Sequence, residues 1–287
     1  MIKRKRRRLK KRVKIILFLF VFLLIIFGFI SYFIDKTYAF QDKEIFFEES
    51  DNKKDSNNED NNNILDDSLE DNMINQLNRV EYYDGFYYED LSSEIKERIT
   101  GGSFPLEFDS DFMAISYDDL KYVKVKYYDF FGIEHTDGEM IVNKLVAQDI
   151  VEIFNKLYLE KYPIASIKLV EEFNSIDELS MRANNTSAFC YRIVENIDRL
   201  SWHAYGLAID INPLYNPYVV GGDIYPSTAL DYVDRTLDFE GKINHDDLAY
   251  KLFIEYGWKW GGDFAYSKDY QHFYKEVLDD SVRERGI

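Results

Sequence analysis

Two stretches hold the side chains most able to do chemistry. They are Ser201-Trp-His203-Ala-Tyr-Gly206-Leu-Ala-Ile-Asp210-Ile-Asn-Pro, and Gly257-Trp-Lys-Trp-Gly-Gly-Asp-Phe264 leading to Asp269-Tyr-Gln-His272-Phe. Together they supply two imidazoles, His203 and His272, and one carboxylate, Asp210. Such nitrogen and oxygen donors suit a catalytic Zn²⁺, which takes three protein ligands and leaves its fourth position to water. Asp269, three residues before the last histidine, is placed to act on that water as a general base. The chain has only four histidines, and two of them fall inside these Gly/Trp-rich stretches. Asp263 is the alternative base. It follows Gly261-Gly262 in a turn, where an acid often caps backbone amides instead.

The spacing constrains the local structure. His203 and Asp210 are seven apart, and a straight strand would send them to opposite faces because its side-chain period is two. One metal reaches both only if the chain turns between them, and Gly206 permits that turn. Beyond it, residues 208–212 alternate as a strand, with Ala208, Asp210 and Asn212 on one face and Ile209 and Ile211 on the other. His272 arrives from elsewhere in the sequence, so the site requires tertiary closure.

These residues resemble the zinc D-Ala-D-Ala carboxypeptidases and their VanY-like relatives, which include L-alanyl-D-glutamate endopeptidases of bacteria and phages. The shared pattern is Ser-x-His-x-x-Gly-x-Ala-x-Asp, a Trp/Gly-rich turn, then acid-x-x-His. Ser201, His203, Gly206, Ala208, Asp210, Asp269 and His272 match it. The resemblance spans roughly residues 115–275. It implies a zinc cofactor on His203, Asp210 and His272, catalysis by Asp269, and peptidoglycan peptide stems as substrate. The upstream segment Asn185-Thr-Ser-Ala-Phe-Cys-Tyr-Arg192 is similar to one that delivers an arginine to a substrate carbonyl or carboxylate; Arg182 is the alternative. Some members carry Glu where this chain has Asp269, which leaves open whether a terminal D-Ala or an internal bond is cut.

The N-terminal region bears on where this chemistry would occur. Residues 3–14 carry ten Lys or Arg and no acid, and residues 15–34 run twenty positions without a charge. At about 1.5 Å per residue that run spans the roughly 30 Å hydrocarbon core. The basic run stays cytoplasmic, so the remainder is expected outside the cell membrane. A cleaved signal peptide is the competing account. Its apolar region is typically about 7–15 residues and ends in a small-x-small site, which Thr37-Tyr-Ala-Phe40 does not supply.

Charge separates the segments further. The chain has 35 basic and 52 acidic residues, net −17; removing the ten basic residues of the tail leaves 25 against 52, or −27. So acidic a body is a poor nucleic-acid binder. A single cysteine, Cys190, excludes an intrachain disulfide. Residues 35–78 include a polar, acidic, Asn-rich run with no apolar periodicity, which predicts a disordered linker.

Residues 79–287 are expected to form the folded domain. Tyr82 to Tyr88 reads as an aromatic turn, and Glu89 to Ile99 as a helix closed by Gly101-Gly102. Leu120 to Tyr127 and Ile164 to Val170 read as strands. Val146, Ile150, Ile153, Phe154, Leu157 and Tyr158 line one face of a helix within 143–161, and Asp246 to Tyr256 forms another. The predicted class is α+β: a small, mainly antiparallel sheet flanked by helices and carrying the zinc site, preceded by one transmembrane helix and the linker.

The other candidates have simpler roles. Ser201 is a candidate substrate-binding residue that hydrogen-bonds near the metal. His135 reads as a loop residue, His245 as a cap or surface residue, and the many Tyr and Phe as core. The alternatives to a peptidase are a non-catalytic cell-wall-binding module that keeps the fold, and a structural membrane protein whose histidines bind nothing.

Overall fold

The computed structural model describes residues 77–106, 115–193 and 199–277. The basic tail, the apolar run 15–34 and nearly all of the linker lie outside the described residues. Among the described residues no helix is long and apolar enough to cross a membrane.

Strands rich in aromatic and aliphatic residues build the first layer. Strands β1 (Val80–Tyr83) and β2 (Phe86–Glu89) form a hairpin across Asp84-Gly85, where Gly85 takes φ 76°. Asp-Gly is a favoured two-residue hairpin turn because glycine tolerates that positive φ. Helix α1 (Ser93–Ile99) follows, then β3 (Leu120–Tyr128) and β4 (Glu134–Asn143). The four strands pair antiparallel in the order β1-β2-β3-β4. Helix α2 (Ala147–Leu159) packs on β2 and β3, burying Ile150, Val151, Ile153, Phe154 and Leu157. Each such side chain contributes about 1.5–3 kcal/mol when removed from water. Arg98 of α1 grips Glu139 of β4 through two hydrogen bonds of 3.0 and 2.6 Å, and Tyr122 donates to the same carboxylate at 2.8 Å.

The second half consists of short elements. They are β5 (Ser166–Ile167), α3 (Asp177–Arg182), β6 (Asn185–Thr186), β7 (Ala208–Asp210), β8 (Tyr218–Val220), β9 (Asp223–Tyr225), α4 (Leu248–Glu255), β10 (Lys259–Trp260), β11 (Ser267–Asp269) and β12 (His272–Tyr274). β5 and β6 form a parallel pair, while β10-β12-β7 and β11-β8-β9 are separate antiparallel sheets. The architecture is mixed helix and antiparallel sheet, with the strands spread over several small sheets.

Local chemistry explains where elements differ from their expected bounds. The helix expected from Glu89 begins at Ser93, because Ser92 caps it by accepting from Ile95 N while Glu89 belongs to β2. The strand expected over 164–170 shrinks to two residues. The Asn185 side chain takes over there, its Oδ1 accepting from Lys168 N and its Nδ2 donating to Lys168 O. The strand expected to 212 stops at Asp210, since Asn212 turns to φ 46° and accepts from Ala165 N. His135 lies on β4, stacked on Tyr127, not in a loop.

Candidate metal centre

Gly206 makes the first turn of the site. Residues Trp202–Tyr205 form a short 3-10 helix that Ser201 caps, its Oγ accepting from His203 N at 3.3 Å. Gly206 ends this helix at φ 66°, and a Cβ there would lie 2.6 Å from Asn143 N. The close approach lets Asn143 at the end of β4 donate to Gly206 O, and its side chain to Tyr205 O. The rigid first sheet thus braces the loop that presents His203.

The β7–β12 ladder makes the second half. His272 pairs directly with Asp210, which puts both side chains on one face. His272 Nδ1 lies 3.0 Å from Asp210 Oδ1, His203 Nε2 lies 3.2 Å from Asp210 Oδ2, and the two histidine nitrogens are 3.1 Å apart. All three residues are buried, and they form a group able to hold a metal ion. Burial opposes a charge on Asp210, yet His203 and His272 hold its carboxyl far below the usual carboxylate range.

The donor set fits zinc. Ligand atoms about 2.0–2.1 Å from a tetrahedral zinc stand roughly 3.3 Å from one another, close to the separations seen here. His203 Nδ1 donates to the Ala188 carbonyl, which leaves the Nε2 lone pair facing the group. Such a carbonyl partner sets the tautomer and ring orientation of a metal-binding histidine. Ala188 belongs to a segment stitched to β7 by Ser187 and Asp210, whose backbones exchange both hydrogen bonds. Cys190, in the same segment, is a buried free thiol beside Arg192, and burial pushes its pKa up to about 12. It lies outside the donor group.

The group opens onto a cleft of about 370 Å³ whose lining includes Arg192, Ser201, Tyr218, Phe264 and Asp269. Asp269 Oδ1 is shielded from solvent with no hydrogen-bond partner. Burial pushes the Asp269 carboxyl up to about 7; His272 opposes the rise and the nearby Asp210 adds to it. Asp263 instead bonds His245 at 2.8 Å on the surface, outside the cleft lining. Arg192 reaches the cleft with Nη2 3.0 Å from Asp177 Oδ2, and its Nε is buried without a hydrogen-bond partner. Arg182 ends α3 as an exposed side chain away from the cleft.

The Gly/Trp stretch acts as scaffold. Trp260 Nε1 donates to Tyr270 O at 2.9 Å, and Trp258 Nε1 to Asp149 of α2 at 3.2 Å. A Cβ on Gly261 would lie 2.7 Å from both Cβ and O of Asp269 and 3.2 Å from His272 Cβ. Glycine is what lets these two residues sit against the turn.

Several cleft features escaped the sequence reading. Asp177, the partner of Arg192, lies at the start of a short helix and carries no local signal. Tyr218 and Tyr225 lie on a hairpin whose Gly221-Gly222 turn between apolar runs is a detectable signal. Arg235 donates to Tyr215 O, Tyr232 O, Asn216 Oδ1 and Ile243 O, and lies 4.4 Å from the Tyr270 ring centroid. Only the fold reveals that it clamps this hairpin region to the segment following Asp269.

Residues 195–275 match a family model described as D-alanyl-D-alanine carboxypeptidase. The matched span holds Ser201, His203, Asp210, Asp269 and His272, and bears out the resemblance read from those motifs; Arg192 falls just outside it. No curated protein and no solved structure matches the chain.

Proposed function

We propose that the chain is a zinc-dependent peptidase that hydrolyses the peptide stems of peptidoglycan, carried outside the cell membrane on an anchor formed by residues 15–34. The observation that carries the catalytic part is the convergence of His203 Nε2, His272 Nδ1 and the Asp210 carboxylate within 3.0–3.2 Å of one another, in a cleft that also holds Asp269. The peptidoglycan part rests on the family match. The anchor rests on the uncharged run and the basic tail before it.

His203, Asp210 and His272 would hold the ion, with the Ala188 carbonyl fixing the ring of His203. When bound, zinc supplies Lewis-acid chemistry, polarising a carbonyl and making water acidic enough to act as a nucleophile near neutral pH. Asp269 takes the proton of the attacking water and returns it to the leaving amine. Burial raises its pKa while a cation at the donor group would favour the carboxylate, so the proton-accepting form is present at neutral pH. Arg192 faces the cleft as a fixed cation for the oxygen on which charge develops, with Asp177 holding the guanidinium plane. Ser201 keeps the His203 loop in shape and borders the same space.

The test pairs metal analysis of the purified extracellular portion with digestion of purified muropeptides, the new ends identified by mass spectrometry. A 1:1 zinc content with new peptide ends supports the proposal and names the bond cut. Zinc without cleavage would point to a wall-binding module instead. Absence of zinc after purification in metal-replete buffer would sink the metallopeptidase account.

A further inference from the structure

The sheet β11-β8-β9 does more than carry Asp269. Its register sets Asp269 directly opposite Tyr218, and Tyr218 directly opposite Tyr225. Directly opposed residues in an antiparallel ladder share a face, so the three side chains form one row across the sheet. All three line the cleft. The two tyrosine rings stack with centroids 5.9 Å apart and planes 28° from parallel. The row is held in place, because Arg235 bonds the chain on both sides of the hairpin and covers the ring of Tyr270, the residue after Asp269.

We infer that Tyr218 and Tyr225 form a ledge that binds an extended peptide substrate beyond the scissile bond and makes the enzyme selective for longer stems. The inference rests on the peptidase proposal and deepens it. Strands lie about 4.8 Å apart, so the row reaches roughly 10 Å outward from Asp269, and an extended peptide rises about 3.3 Å per residue. The ledge therefore meets substrate residues as far as about three positions from the reacting carbonyl. Tyrosines suit this task because a rigid ring offers a large apolar face at small entropic cost. A dipeptide held at the metal centre would leave the outer tyrosine unused.

The experiment uses the zinc-loaded protein and synthetic stem peptides lengthened one residue at a time on each side of the bond cut. Wild-type kcat/KM should climb with length on one side and level off after about three residues. Tyr225→Ala should lose about threefold to tenfold of the gain on the longest peptides, and Tyr218→Ala should lose its share at shorter lengths. Tyr218→Phe and Tyr225→Phe should restore the climb, since the ring face carries the contact. Tyr266→Ala, at a residue 99 % exposed and outside the cleft lining, should keep the wild-type profile. Melting temperature and zinc content are recorded for every variant. If Tyr218→Ala misfolds, Tyr225→Ala on the edge strand carries the test. A wild-type rate independent of length, or alanine variants losing the same factor at every length, would overturn the ledge and leave the peptidase proposal standing. A zinc-loaded wild type that cuts none of the peptides would overturn the peptidase proposal and the ledge with it.

Discussion

Asp210 and His272 face each other across the β7–β12 ladder, and that register places the carboxylate and imidazole 3.0 Å apart. A slip of one residue on either strand would turn one of them to the opposite face of the sheet. The His203–Asp210–His272 group is therefore as secure as this pairing, which Ser187 and Gln271 extend by bonding Asp210 and Ile211.

Ligands and base should separate by metal content. His203→Ala, Asp210→Ala and His272→Ala are each expected to lose most bound zinc. Asp269→Ala should keep it while kcat falls by about 10²–10⁴, the usual contribution of a positioned general base. Atomic-emission analysis alongside turnover measures both, and a metal-free Asp269→Ala would move that residue into the ligand set.

Activity should depend on the charge of Asp269. Burial raises its pKa to about 7, so the carboxyl is protonated below that pH and unable to accept a proton. A bound cation favours the carboxylate and moves the limb lower. The profile of kcat/KM is expected to fall about tenfold per unit on the acid side, with its limb at or below pH 7. An acid limb unchanged in Asp269→Glu would assign it to another group.

Gly261→Ala should damage the site by direct crowding. The new Cβ meets Asp269 and the Cβ of His272, so both must shift. Expected results are a fall in kcat of at least about tenfold, as small misplacements at a reacting centre cost up to 10², and weaker zinc retention. Full activity in Gly261→Ala would show that the turn tolerates side chains and that its closeness to Asp269 is incidental.

The Arg98–Glu139 pair, outside the cleft lining, should govern stability. Removing Arg98 strands a largely buried carboxylate, at a cost of about 3 kcal/mol. Burial works against ionised Glu139, yet Arg98 and Tyr122 keep its folded pKa below normal. The stabilisation is thus present above the unfolded value of about 4.3 and fades as pH falls through the folded pKa. In Arg98→Ala, burial without the cation raises that pKa, so the penalty is full at neutral pH and relaxes on acidification. Urea melts at pH 7 and pH 4 should show the gap between wild type and variant narrowing.

Topology offers a test independent of chemistry. Full-length protein should stay with membranes through high-salt and carbonate washes, and external protease should release the folded body while the basic tail remains protected. A mature form cut near Ala39 would replace the anchor with a cleaved signal.

The chemistry-bearing residue types were legible in the sequence because they sit in short, dense patterns. Two histidines and an aspartate framed by Gly206 and by the Trp/Gly run announce a site before any fold is known. The long periodic elements, β3 and α2, were legible for a similar reason, since each is long enough to show its buried face in its spacing. Elements of two or three residues, such as β5 and β11, are too short to show such a period. Their bounds depend on side chains from elsewhere, as when Asn185 replaces a backbone partner for Lys168. What joins distant segments was decided only by the tertiary structure. The Ala188 carbonyl behind His203, Asp177 beside Arg192, Arg235 under Tyr270 and the Asp269–Tyr218–Tyr225 row each depend on packing, turn geometry and register. Local composition can name a ligand, but the distance between two ligands depends on every turn that closes the loop between them.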